Sequence, residues 1–192
     1  MSQTSRIVIV IAALLGIAVY FLPIWSITLY APQYSDGIGF YILVDDLQGH
    51  SKNDIQNVNI LNHYIGMRPI EVEDFPEFQY MPWVFGALIG LGLIVGLVGN
   101  KWLLVVWVLY FILIGVVGMI RFYYWGYEYG HDLDPRAPIK VPGMTYQPPM
   151  IGSKQLLNIT AHSWPASASY FLGASLIMGL FLVYLEFFHK SR

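Results

Sequence analysis

Four long apolar stretches limit what this chain can fold into more than anything else in it. A helix that crosses a bilayer needs about 20 predominantly apolar residues. Such runs extend from Ile7 to Thr28, from Trp83 to Gly99, from Trp102 to Ile120 and from Ser167 to Phe188. None holds an Asp, Lys or Arg in its interior, and the one acid near an interior is Glu186, in the last turn of the fourth. Of the 192 residues, 56% are hydrophobic and only 11% charged, where an ordinary soluble domain carries about 25% charged residues. The expected fold class is an all-α membrane protein, a four-helix transmembrane bundle with a small mixed domain built from two long loops.

The segments expected are a first span over 7–30, a loop over 31–82, spans over 83–99 and 102–120, a second loop over 121–166, and a last span over 167–188. The first stretch is expected to stay as an anchor. Its apolar core exceeds the roughly 7–15 residues of a cleaved leader, and no small-x-small cleavage site precedes the polar part. The short Asn100-Lys101 connection makes the second and third spans an antiparallel hairpin.

Orientation follows the bases in the connections. Arg6, Lys101, Lys190 and Arg192 crowd the short ones, while Lys52, Arg68, Arg121, Arg136, Lys140 and Lys154 are spread over the two long loops. Both termini are thus expected in the cytoplasm of a bacterial inner-membrane protein, with both loops in the periplasm. Eleven of the twelve acids also fall on the loop side. Trp25, Tyr30, Trp83, Trp125, Trp164 and Tyr170 mark the outer boundary, and Trp102 and Phe187 the inner one, where amphipathic rings prefer to sit. Trp107, at mid-span, reads as a packing residue.

Small residues recur at four-residue spacing in the second span, at Gly86, Gly90, Gly92 and Gly96, and again at Ser175 and Gly179 in the fourth. Such spacing lets helix backbones approach closely. Two readings stand: tight packing inside one bundle, or a face for a homo-oligomer.

The loops carry their own patterning. Phe40 to Val44 reads as a strand, and Ile55, Val58, Leu61 and Ile65 recur at helical spacing over 54–65, with Gly66 as the stop. Arg121 to Tyr129 is aromatic and extends the third span. Beyond it Pro135, Pro138, Pro142, Pro148 and Pro149 preclude a regular helix and predict an extended segment laid over the first loop. Leu156 to Ala161 reads as a brief strand or turn.

Candidate chemistry is confined to these loops. Twelve acids against ten bases give no reason to expect a nucleic-acid partner. No cysteine is present, so disulfides, thiolate zinc sites, iron–sulfur ligation and cysteine nucleophiles are excluded. No hydrolase, kinase or nucleotide signature occurs, and no catalytic residue is assigned. Without ionisable groups in the spans, a transport pathway has nothing to work with. What remains is histidine with methionine. His63 and Met67 are four apart at the end of the expected helix, Met144 and Met150 follow Gly and Pro in the second loop, and His131 precedes Asp132. Thioether with imidazole suits Cu(I), and residues i and i+4 share one helix face. The competing reading is that these methionines are gap-filling core residues. Asp45, Asp46, Asp132 and Asp134 read either as cation ligands or as solvated and ion-paired carboxylates.

The stretch Leu61-Asn-His-Tyr-Ile-Gly-Met67, with Ala31-Pro-Gln-Tyr34 upstream and Leu133 to Ile139 and Tyr146 to Pro149 downstream, resembles small four-span bacterial membrane proteins. These are associated with copper handling and with gene neighbourhoods for nitrous-oxide reductase maturation. The resemblance implies a copper context, with His63 and Met67 as its matching positions. The function expected is a membrane-anchored copper-binding accessory protein that passes Cu(I) to a periplasmic copper protein or copper enzyme. The alternative is a non-catalytic subunit or scaffold that docks a partner.

Overall fold

The computed structural model describes residues 1–141 and 143–189. Pro142, counted above among the loop prolines, and the bases Lys190 and Arg192 lie outside the described residues. Among the described residues, the chain has four helices long and apolar enough to cross a membrane. Contrary to the all-α architecture expected, it also folds a five-stranded antiparallel sheet, which makes up much of one end of the molecule.

The first long helix, α1, spans Gln3–Leu15 and continues as a tighter turn over Gly16–Tyr20. It stops ahead of Pro23, and Trp25–Ala31 is strand β1. The expected first span therefore joins two elements. Trp25, Ile27 and Leu29 face the apolar core of the sheet, while Ser26, Thr28 and Tyr30 alternate between them. That two-residue period is a strand's, and averaged hydropathy hides it.

After β1 come β2 (Tyr34–Ile42), β3 (Leu47–Gly49), α2 (Asp54–Ile65), α3 (Glu77–Val98), α4 (Lys101–His131), β4 (Gly152–Leu156), β5 (Ile159–Pro165) and α5 (Ser167–Tyr184), which ends in a wider turn over Leu185–His189. The strand order is β3-β2-β1-β5-β4. In register, Ile27 faces Phe40 on one side and Ser163 on the other. One sheet face packs on Val58 and Leu61 of α2 and on Tyr129, near the end of α4.

The helices α1, α3, α4 and α5 form the bundle, with Trp107 at its centre. The Trp107 indole N–H donates to the Leu88 carbonyl at 2.8 Å, a buried bond that satisfies its one polar atom. Gly92 and Gly96 face α1, and Gly92 also faces Trp107, so this part of the small-residue stripe packs within the chain. Gly90 faces open space. At the α3–α4 turn, Gly99 adopts the left-handed conformation (φ 72°) and Asn100 Oδ1 accepts from Trp102 N at 2.8 Å. Arg6 donates to the carbonyls of Gly96 and Leu97, two of the acceptors that the end of α3 leaves unpaired. Glu186 has a local role too: it accepts from Ser2 N at 3.1 Å and from Ser5 Oγ at 2.5 Å, tying the end of α5 to the start of α1.

Sheet and bundle are joined without slack. Strand β1 follows the tighter turn that ends at Tyr20 after four residues, and β5 runs into α5 past Ala166. The Ile24 carbonyl accepts from Ala166 N at 2.9 Å and from Ser169 Oγ at 2.6 Å, locking the two crossings side by side. The upper end of α4, past the expected boundary at Ile120, enters the sheet domain as a strut.

Candidate functional site

The site grows out of the end of α2. Val58 and Leu61 bury this helix against the sheet, and Gly66 terminates it with φ 82°. Its N–H and that of Met67 return to the carbonyls of His63 and Asn62 at 3.3 and 2.9 Å, a left-handed cap of the kind only glycine forms without strain. Asparagine side chains then hold the outgoing chain against the helix. Asn62 Nδ2 donates to the Arg68 carbonyl at 3.3 Å. Asn59 pairs with both backbone groups of Ile70, accepting from its N–H at 2.7 Å and donating to its carbonyl at 3.2 Å.

The proline-rich segment crosses this turn, as expected from its composition. Asp134 N donates to the Gly66 carbonyl at 2.8 Å, Ile139 N to Tyr64 at 2.9 Å, and Tyr146 N to Gly130 at 2.9 Å. Between strap and helix end lies an open groove lined by His63, Met67, Arg68, Asp132, Asp134 and Arg136. His63 is exposed and Met67 half-buried. Met67 stands beyond the last helical residue, so the shared helix face does not place it; the reversal at Gly66 does.

The other candidates are distributed unevenly. Met144 packs in the same apolar cluster as Met67, around Tyr146, Leu156 and Ala161. His131, the last residue of α4, stacks on Tyr127 with ring centroids 3.9 Å apart. Its Nδ1–H donates to the Tyr127 carbonyl at 2.8 Å, which leaves the Nε2 lone pair available, as the second ring nitrogen of a metal-binding histidine commonly is. Met150 is apart, where the strap enters β4, with its carbonyl bonded to Ser163 Oγ at 3.0 Å. Among the described residues, no three His, Cys, Asp or Glu side chains converge as metal ligands would. Asp134 is engaged with Arg136 at 3.2 Å, and the hydrogen bonds from that residue hold its carboxyl below the ordinary value. Asp46 accepts from Leu47 N at 2.7 Å.

The chain matches no protein-family model and no curated protein in sequence.

Two features of the sheet domain have no trace in sequence spacing. On the sheet face away from α2, His50 Nε2 lies 3.1 Å from Ser26 Oγ, and its ring packs on Tyr41 at 4.2 Å. His162 packs on Tyr30 at 5.0 Å. The second is a cavity of about 60 Å³ under the opposite face, walled by residues from β1, β2, α2, α4, the strap and the β4–β5 hairpin. Tyr146 and Trp125 line it, and the buried Tyr146 hydroxyl finds no hydrogen-bond partner among the described residues. An unmet buried donor costs about 1–3 kcal/mol.

Proposed function

We propose that this protein is a membrane-anchored copper-binding accessory protein, with its sheet domain on the periplasmic side of a bacterial cytoplasmic membrane and both termini inside. The observation that carries this reading is that the His63 imidazole and the Met67 thioether line one open groove. No described group hydrogen-bonds the His63 ring, so its nitrogens are available to an ion. The donor chemistry fits Cu(I). Met144, from the cluster that holds Met67, and His131 Nε2 are the further donors within this part of the fold. Copper here is cargo. A site with two donors on an exposed surface suits exchange with a periplasmic copper protein or copper enzyme.

The test is a Cu(I) titration of the purified full chain against a competing chelator, comparing wild type with His63→Ala and Met67→Ala. Weaker binding in each variant is expected, and equal affinity in all three removes the assignment.

A second reading, a non-catalytic subunit that docks a partner, has one observation in its favour. Tyr64 and Ile139 are about half exposed, and the backbone bond between them joins the strap to α2. A stoichiometric partner retained through mild detergent, with no metal by elemental analysis, would favour it over copper transfer.

A further inference from the structure

We propose that the cavity under the sheet is a binding site for a small uncharged molecule, apolar apart from one hydrogen-bond acceptor such as a carbonyl. It is separate from the copper groove: among the described residues, Met67 alone lines both. The copper reading and this one therefore stand or fall independently.

The argument starts with the walls. Ile27, Leu29, Phe40, Leu61, Ile159 and Ala161 give an apolar surface drawn from three strands and α2, and no charged side chain lines the space. An ion would be stripped of water there without compensation. Of the polar side chains that line it, Asn62 donates to the Arg68 carbonyl, and Tyr129 to the Pro69 carbonyl and the Asp74 carboxylate. The Tyr146 hydroxyl can donate, is buried and has no partner among the described residues, whereas the Trp125 indole N–H beside it is within reach of the Tyr129 hydroxyl. Tyr146 is only 3% exposed, so bulk water does not reach it. Folds seldom retain an unmet buried hydroxyl, and one beside a cavity favours an occupant that accepts from it. A volume of about 60 Å³ admits a molecule of a few heavy atoms. The strap supplies the wall that carries Tyr146 and Pro148, so the pocket is completed by the same proline-rich segment that crosses α2.

The experiment uses the full chain in nanodiscs with ¹⁵N-labelled tryptophan. Its six indole N–H signals are followed while acetone, or xenon as a probe without an acceptor, is added. Trp125→Phe identifies the relevant signal. Acetone should shift the Trp125 signal saturably while the other indoles stay fixed. Tyr146→Phe should weaken that response by about tenfold, the loss expected for one hydrogen bond of ordinary strength, and leave the xenon response unchanged. Ile159→Phe, which fills the space, should abolish both. Tyr146→Phe should also unfold no more readily than wild type in the absence of acetone, because the hydroxyl it removes is unpaired. The proposal is overturned if acetone moves all six indoles alike, if it binds wild type and Tyr146→Phe equally, or if Tyr146→Phe is less stable. That last outcome would mean ordered water already satisfies the hydroxyl.

Discussion

Trp107 sits against Gly92, which has no side chain to keep the indole out. A Cβ built on Gly92 would stand 2.7 Å from Trp107 Nε1 and 2.6 Å from Ala13 Cβ, and one on Gly179 would stand 2.5 Å from the far side of the ring. The glycines make a slot across α3 and α5 that α4 fills. Gly92→Ala and Gly179→Ala should each destabilise the bundle by about 1–3 kcal/mol, as overpacking of a dense interior does. Gly90 and Gly173 have nothing within 4 Å of a Cβ. Alanine there should be neutral or gain up to about 1 kcal/mol from helix propensity. Detergent-induced unfolding followed by circular dichroism separates the two pairs.

Gly66 is the second place where a missing side chain shapes the molecule. Its φ of 82° is strained for any L residue, and a Cβ there would lie 2.9 Å from Ala137 Cβ. Gly66→Ala should destabilise the sheet domain by about 1–2 kcal/mol and push the strap away from α2. Because this reversal sets Met67 beside His63, the same substitution should weaken Cu(I) binding on the order of 10-fold. Chelator competition measures this without touching either donor. Unchanged affinity would show that Met67 finds its place without the cap.

Asp54 organises the opposite end of α2. Its buried carboxylate accepts from Ser51 N at 3.1 Å and from Gly39 N at 3.3 Å, joining the helix start to strand β2. Asp54→Ala leaves two backbone donors unmet, that of Gly39 at a buried position, a cost of about 1–3 kcal/mol. The loss should be visible as faster amide exchange in β2 and β3 while the bundle stays protected.

Much of this architecture was legible because its elements obey single periods. Helix α2 occupies 54–65, as the spacing of Ile55, Val58, Leu61 and Ile65 requires, and α4 runs on through its aromatic end to His131. The sheet was harder. Strand β1 follows an apolar helix after a short break, and its Ser26 and Thr28 barely dent the hydropathy that the first span presents. Its pairing with β5, more than a hundred residues away, leaves no local mark. The expected strand over 40–44 starts earlier, at Tyr34, where glycines 37 and 39 conceal it. His63 and Met67 could be found because they are neighbours in sequence. The cavity could not, since residues between Ile27 and Ala161 wall it, and only folding brings Trp125 and Tyr146 to the same space.

His50 gives the sheet a defined pH response. Burial lowers its pKa below the ordinary 6.5, against opposing effects of the Asp54 carboxylate and a hydrogen bond with the Phe40 backbone. The ring fills the space above Gly39, where a Cβ would come within 2.9 Å of it, and Ser26 Oγ meets its Nε2. The folded protein therefore takes up the His50 proton at lower pH than the unfolded chain. As pH falls through 6.5 the unfolded state binds more protons, so stability declines. The decline continues to the lowered folded value and then stops, because both states are protonated below it. His50→Gln takes up no proton in this range and should show a flatter profile. Thermal unfolding of the wild type and this variant at pH 7.5 and about 5.5 tests the point, since the acids common to both cancel in the difference. A wild-type stability that falls no more than the variant's over this interval would show that the His50 environment does not resist the charge.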